Sequence, residues 1–459
     1  MSTYEEAYRR LNPAQKRAVD TVYGPLLVIA GPGTGKTQLL TARVANILKV
    51  TDALPQNILC LTFTESGAYA MRERLRSFIG QPAYDVSINT YHAFGSAILN
   101  RYPEYFTDLR LERPVDELGK YQILAEVLAE TAYTSPIKQL RHHIGDLIAT
   151  ISEVKRGLLS PDDLRTIAKT NLHTIETTKH AIGEALHAYT NRLPSKLDQS
   201  LPLFESILAA LQTDSTQAKA GFPAYGDLAG LELTAAIEAA TEIGKTKPLT
   251  AWKNSWLVKD DQNEYMLAGS LEARRMTALA DVLERYEERL AAEGMYDFDD
   301  MILRAVDILT NNDDLRFSLQ EQYQFILLDE FQDTNAAQLR LVELLTNNPV
   351  SEGRPNVMAV GDDDQAIYAF QGAEVSNMLD FYRMYEAVEV ISLQENYRST
   401  AEILETASNL ATQIESRLHS HFPDIEKQLV AQSTGKTQLA RRSFTSAIAE
   451  RTAVADQIV

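Results

Sequence analysis

Cysteine is nearly absent: Cys60 is the only one in 459 residues. No intramolecular disulfide can form, and no thiolate cage for a metal can be assembled. Such a chain fits a reducing compartment, and a cytoplasmic location is expected. Long apolar runs are also missing. The stretch MSTYEEAYRRLNPAQ has no apolar core of a secretory signal, and the run from Pro25 to Ala30 is far too short to cross a bilayer; no membrane association is expected. Positive charge is scarce, with 44 Lys and Arg against 63 Asp and Glu and a net charge of −19. That balance argues against wholesale wrapping of nucleic acid, which needs clustered cations. Any such contact must be local. Arg72 to Arg76 and Lys245 to Lys259 are basic, though both also read as ordinary solvated helix faces. No internal repeat and no long low-complexity tract is found.

What is present is globular. The length exceeds what one hydrophobic core can organise, so two to four domains are expected, and 45% apolar content allows each to fold. Leu26 to Ala30 reads as a short buried strand, followed by a glycine-rich turn and a helix-like stretch from Thr37 to Leu48. Ile58 to Phe63, Phe325 to Asp329, Val357 to Gly361 and Glu389 to Leu393 are further apolar runs of strand length, each closed by polar or glycine residues. Short apolar strands alternating with helical patterns predict an α/β fold with a parallel sheet covered on both faces, whose ligands bind at the carboxyl ends of the strands.

Between about Asn100 and Ala292 helical periodicity takes over, as in Ile123/Val127 with Leu124/Leu128 and in Ile144, Leu147, Ile148 and Ile151. This region is expected to be an inserted helical domain. Ser160-Pro161-Asp162-Asp163 predicts a helix start, with proline in the first turn and acids on the positive end of the dipole. The stretch Ala447 to Val459 predicts an amphipathic helix with Ile448, Ala455 and Val459 on one side. It stops without a glycine or asparagine cap, so a longer polypeptide is expected. His142-His143 and Trp252/Trp256 lack any chemical context and read as structural.

Ala30-Gly31-Pro32-Gly33-Thr34-Gly35-Lys36-Thr37 fits the phosphate-loop pattern with alanine in place of the first glycine, in the strand-turn-helix context the motif needs. Glycines let backbone amides close around phosphate oxygens, Lys36 can reach the β- and γ-phosphates, and the Thr37 hydroxyl can ligate Mg²⁺. Leu327-Leu328-Asp329-Glu330 puts two carboxylates at a strand end, where Asp329 can hold the metal and Glu330 can orient and deprotonate a water. Acids at strand ends are common. Beside a phosphate loop, the pair points to a nucleotide hydrolase using ATP and Mg²⁺.

The segments DEFQDT (329–334), VGDDDQAIYAFQGA (360–373) and LQENYRST (393–400) resemble helicases of the UvrD/Rep/PcrA type in superfamily 1. LNPAQKRAV (11–19), LTFTESGAYAMRERL (61–75), NTYHAFGSAIL (89–99) and YDFDDMI (296–302) are similar to further segments of that family, in the same order. The resemblance implies a RecA-like fold. A first ATPase domain would occupy 1–100 and 293–375, a helical insertion 101–292, and the incomplete start of a second RecA-like domain 376–459. It also implies residue roles. Gln15 would read the adenine edge, Tyr397 would stack on the ring, Gln365 would sense the γ-phosphate, and Arg398 would stabilise charge on it, although Arg398 also reads as a surface ion pair. Gln38 would follow the phosphate loop in the nucleotide site. Phe63, Tyr91, His92, Tyr368 and Phe370 would lie along single-stranded DNA, where an aromatic face accepts any base. Each of these aromatics also reads as core packing beside a strand.

Departures from the family pattern concern charge. Phe370-Gln371-Gly372-Ala373 stands where Trp-Arg-Gly-Ala is usual, Glu65-Ser66 where Asn and Lys are common, and Gln38 where Arg is frequent. Weaker coupling to DNA is expected. The resemblance also implies that a second catalytic arginine lies beyond Val459. The implied activity is an ATP-dependent helicase or translocase acting on single-stranded DNA and single-strand/duplex junctions, moving 3′ to 5′, as a monomer and with low activity in this chain alone. A nucleotide-dependent DNA-binding module without unwinding, and the motor part of a helicase-nuclease, are the alternatives carried by the same residues.

Overall fold

The computed structural model describes residues 3–106, 113–138, 143–189, 194, 196–213, 219, 222–366, 376–413, 427–435 and 442–458. Two compact units emerge: residues 1–105 with 301–459, and residues 106–300.

The first unit is built on a six-stranded sheet. Its strands are β1 (Leu26–Ala30), β2 (Ile58–Thr62), β3 (Ser87–Thr90), β4 (Phe325–Leu328), β5 (Val357–Gly361) and β6 (Glu389–Leu393), in the spatial order β6-β1-β5-β4-β2-β3. Every pairing is parallel. Each residue of β1, β2, β4 and β5 is buried, the mark of central strands covered on both faces. The edge strands β3 and β6 are only partly buried. Alternate residues such as Leu26, Val28, Cys60, Leu327 and Val360 join one apolar cluster with the helices Pro13–Asp20, Lys36–Val50 and Glu65–Ile79. Their neighbours Leu27, Ile29, Leu61 and Leu328 are equally buried on the opposite face. Because the strands are parallel, the carboxyl ends of all six lie on one edge.

β6 pairs with β1 from Leu26↔Glu389 to Ala30↔Leu393, so this sheet continues past residue 375. Beyond it, Glu395–Asn396 pairs in parallel with Val430–Ala431. The helix Ala447–Ile458 forms, but it buries no residue, and Ile448 and Ile458 are exposed. The apolar side expected there covers nothing among the described residues.

In the second unit the expected helical content is present in Glu117–Glu130, Ile144–Arg156, Pro161–Leu186, Leu197–Thr213, Tyr225–Ile243, Lys247–Trp256 and Ser270–Ala292. Two apolar clusters hold it. One gathers Ile123, Leu124, Val127, Leu147 and Leu283, and the other Ile182, Phe204, Leu233, Leu249 and Trp252. The 26-residue helix Pro161–Leu186 feeds both, with Leu164 in the first and Ile175 in the second. Ser160 caps it as the sequence predicts. The Ser160 hydroxyl accepts from the Asp163 amide at 3.1 Å, and the Asp163 carboxylate accepts from the Ser160 amide at 2.8 Å. Lys155, almost fully buried, donates to Asp297 and Asp300 at 2.7 Å, while Arg156 pairs with Asp299 at 3.0 Å. The acids of the YDFDD segment thus anchor the helix Ile144–Arg156. The Trp252 indole donates to the Ala229 carbonyl and Trp256 to Glu232, in keeping with structural roles. His142 lies outside the described residues.

Candidate functional site

The carboxyl edge of the sheet gathers the chemistry-bearing segments of the first unit. β1 ends at Ala30 and opens into the loop Gly31 to Gly35, after which the helix Lys36–Val50 begins. Gly33 and Gly35 have φ of +73° and +88°, values that favour glycine. Space is as restrictive as torsion. A Cβ on Gly33 would lie 2.7 Å from the Arg398 Cβ, and one on Gly31 would lie 2.8 Å from the Leu429 side chain. Thr34 closes the loop, its hydroxyl donating to the Gly31 carbonyl at 2.7 Å. Pro32 accepts from the Asn396 amide, and the Gly33 carbonyl accepts from the Tyr397 N–H at 2.9 Å. Asn396 and Tyr397 thus fix the loop at the start of the helix Lys36–Val50, the strand-loop-helix setting in which backbone amides can accept phosphate oxygens.

Lys36 leads that helix and ion-pairs with Glu330. Asp329 extends the β4 ladder, its N–H donating to the Leu61 carbonyl at 2.8 Å. Glu330 then turns with φ +48° and ψ +46°, a left-handed conformation that costs a non-glycine residue about 1 kcal/mol or more. That turn brings its carboxylate to Lys36 and to the Gln332 amide, which donates at 3.0 Å. Burial pushes Asp329 up to about 6, with Glu330 adding repulsion and Lys36 partly offsetting it. Asp333 is likewise pushed up to about 6 by burial and by Glu330, again with Lys36 opposing; one of its oxygens is buried without a hydrogen-bond partner among the described residues. Three acids, Asp329, Glu330 and Asp333, thus crowd the one ammonium of Lys36. The Thr37 hydroxyl and the Asp329 carboxylate are hard oxygen donors of the kind that would suit Mg²⁺. No cluster of three or more acidic, His or Cys ligands that could hold a metal ion by itself occurs among the described residues.

β5 ends in Asp362-Asp363-Asp364-Gln365. The Asp362 N–H donates to the Gln332 side-chain oxygen Oε1 at 3.0 Å, and the Gln365 side-chain amide donates to the Asp362 carboxylate at 2.6 Å. An unbroken chain of contacts therefore runs from Lys36 through Glu330, Gln332 and Asp362 to Gln365. Lys427 pairs with Asp362 and Asp364 at 3.0 Å and also with Asp363. Burial lowers its affinity for the proton, but the carboxylates outweigh this and hold it above the ordinary lysine range.

Gln15 is buried in the capping box of the helix Pro13–Asp20. Its amide oxygen accepts from the Asn12 N–H at 3.1 Å, and its amide nitrogen donates to the Thr34 carbonyl at 2.8 Å. Each atom keeps one further hydrogen-bonding position, so an adenine edge can be read without breaking the cap. Asn12 also donates to the Tyr397 hydroxyl at 3.1 Å, and Tyr397 is half exposed, its ring open for stacking. Arg398 is exposed next to Gly33, and Gln38 sits part-buried on the first turn after the loop.

Phe63 directly follows β2, and His92 lies in the first turn of the helix Tyr91–Arg101 that follows β3; both are part-buried. The Thr90 hydroxyl donates to Glu65 at 2.8 Å, tying these two segments together. Tyr91 differs from expectation. It is 1% exposed, and its hydroxyl has no partner among the described residues, so the ring offers no face to a base and packs in the core. Tyr368, Phe370 and Gln371 lie outside the described residues.

Sequence reasoning missed four residues: Asn12, Gln332, Asn396 and Lys427. Asn12 was accessible, since Asn-Pro-Ala-Gln is a capping pattern. Gln332 and Asn396 lie within quoted motifs but carry no separate signal, and Lys427 has none at all.

A glycine-rich loop after a buried strand, with lysine and threonine on the following helix and an Asp-Glu pair on the same edge, defines a phosphate-loop α/β protein on a RecA-like parallel sheet. The chain belongs to a specific family of that class: residues 11–386 match the UvrD/REP helicase N-terminal domain. It is similar to the DNA helicase II homolog of Rickettsia felis, with 29% identity over 91% of this chain and 47% of the relative. Against DNA helicase II of Rickettsia typhi the identity is 29% over 89% of this chain and 45% of the relative. Against the ATP-dependent DNA helicase PcrA of Bacillus subtilis it is 26% over 87% of this chain and 39% of the relative. The chain thus spans less than half the length of these relatives.

Proposed function

We propose that this chain carries the ATP-hydrolysing site of a DNA helicase or translocase that acts on single-stranded DNA and single-strand/duplex junctions, moving 3′ to 5′. One observation carries the reading: Lys36, Glu330, Gln332, Asp362 and Gln365 form one connected cluster that begins at the phosphate loop. The names of the relatives support DNA as the track. The first ATPase domain comprises the six-stranded sheet with its helices, the second unit is its helical insertion, and a second motor domain begins after β6.

In this reading Gln15 and Tyr397 hold the adenine, the amides of Gly31 to Gly35 receive the phosphates, and Lys36 leaves Glu330 to meet the β- and γ-phosphates. Thr37 and Asp329 hold Mg²⁺, which supplies neutralisation of phosphate charge. Released from Lys36, Glu330 accepts the proton of the attacking water, while Gln332 keeps its carboxylate oriented. Gln365 meets the γ-phosphate and Arg398 its developing charge. Phe63 and His92 border the DNA path, with Tyr368 and Phe370 as further stacking residues; Tyr91 supports the site from the core.

Glu330→Gln separates binding from chemistry. It is expected to bind Mg²⁺-ATP at least as well as the wild type, because one repulsive charge is removed, and to hydrolyse it about 10² to 10⁴-fold more slowly. Lys36→Ala is expected to lose both, as read by equilibrium nucleotide binding and phosphate release. Wild-type hydrolysis in Glu330→Gln, or no nucleotide binding by the wild type, overturns the assignment.

A further inference from the structure

Three consecutive carboxylates, Asp362, Asp363 and Asp364, stand one residue from Gln365, on the edge where a triphosphate would lie. Left uncompensated, they would repel a ligand of like charge. One compensating charge comes from distant sequence. Lys427 is only 12% exposed at its side chain, and its ammonium lies 3.0 Å from Asp362 and from Asp364 and in contact with Asp363.

The segment carrying Lys427 is built onto the site. The Val430 N–H donates to the Gln394 carbonyl and the Gln432 N–H to the Asn396 carbonyl, each at 2.8 Å. Asn396 in turn donates to Pro32. Leu429 covers Gly31 so closely that no Cβ fits between them. One short stretch, 427–432, therefore touches the phosphate loop through Leu429 and the acidic turn through Lys427.

We propose that Lys427 is a positioning residue for the γ-phosphate: it neutralises the Asp362-Asp363-Asp364 turn and fixes the carboxylate from which Gln365 is oriented, so that the site distinguishes ATP from ADP. The proposal rests on the nucleotide-site reading above. Its logic is electrostatic and directional. Asp362 uses one oxygen for Lys427 and the other for the Gln365 amide, so loss of the lysine both loosens the sensor and exposes net negative charge at the position of the terminal phosphate. ADP, lacking that phosphate, lies farther from the turn and is less affected.

The test is equilibrium binding of a non-hydrolysable Mg²⁺-ATP analogue and of Mg²⁺-ADP to the full chain, in the wild type, Lys36→Ala, Lys427→Met, Lys427→Arg and the double variant Lys427→Met/Asp364→Asn. Thermal melting of each accompanies it. Lys427→Met is expected to weaken the ATP analogue by about tenfold or more relative to ADP, the effect of an ion-pair loss of about 1.4 kcal/mol. Lys427→Arg is expected to retain the wild-type ATP/ADP ratio, and Asp364→Asn in the methionine background to recover part of it by removing one repelling charge. A lysine that merely braced the fold would weaken both nucleotides equally and gain nothing from Asp364→Asn. An unchanged ATP/ADP ratio in Lys427→Met, with Lys36→Ala still abolishing binding, overturns the role of Lys427 and leaves the nucleotide site standing. If Lys427→Met fails to fold, a wild-type ratio in Lys427→Arg supports the proposal and a collapsed ratio in that folded variant overturns it. No binding by the wild type removes both.

Discussion

Arg43 shows how far the supporting shell of the site reaches. It is 2% exposed, among the largest fully buried side chains of the described residues, and its guanidinium donates to the carbonyls of Ala18 and Val22, in and just after the helix that carries Gln15. Burial lowers it to about 10, with the negative charge of Glu389 opposing; it stays charged at neutral pH while serving as a cap. Arg43→Met keeps most of the volume and removes the donors, leaving two buried carbonyls without them. A loss of about 2 to 4 kcal/mol in urea unfolding is expected; a change within about 0.5 kcal/mol would mean that the carbonyls find other partners. Glu330 carries a different load. Its left-handed backbone is maintained by a surround that includes Lys36 and Gln332, and strain at such a position places the carboxylate where an ordinary strand end would not.

At the scale of elements, caps and strands were legible in the sequence because they depend on neighbours. The five apolar runs became β1, β2, β4, β5 and β6, and Ser160 starts its helix with the expected capping box. Asp163 gives that cap a pH dependence. Burial pulls its carboxyl up, but the Lys219 ammonium at 2.6 Å and the Ser160 amide and hydroxyl outweigh this and hold it below the ordinary carboxylate range. A carboxyl depressed in the folded state contributes stability above its unfolded value of about 4, and that contribution is lost as pH falls through the folded value. The stability gap between wild type and Asp163→Asn is therefore expected to be flat from pH 7 to about pH 5 and to shrink on further acidification in urea titrations. A gap that widens with acid would contradict the assignment. What local pattern could not reveal was pairing over long separations. Lys427 meets Asp363 across 64 positions, β6 returns beside β1 across more than 350, and no periodicity encodes either. Tyr91 was ambiguous for a related reason: an aromatic after a strand packs inward or outward according to what the neighbouring strands supply. Here they bury it.

For the whole molecule, the phosphate loop and the Asp-Glu pair come from segments some 300 residues apart, with the second unit inserted between them. The inserted unit has its own apolar clusters. Within the acidic chain, Lys36 pairs with Glu330, and Lys427 pairs with Asp362, Asp363 and Asp364. Glu65 accepts from the Thr90 hydroxyl and joins the two segments bearing Phe63 and His92. The central claim is that nucleotide chemistry on this sheet edge is coupled to single-stranded DNA. The direct measurement is the steady-state rate of ATP hydrolysis by the chain with and without an unstructured DNA oligonucleotide, with Lys36→Ala and Glu330→Gln as controls. Stimulation by DNA that both substitutions abolish is the predicted result. Hydrolysis that is insensitive to DNA at every concentration would contradict the coupling and leave a nucleotide site without a track.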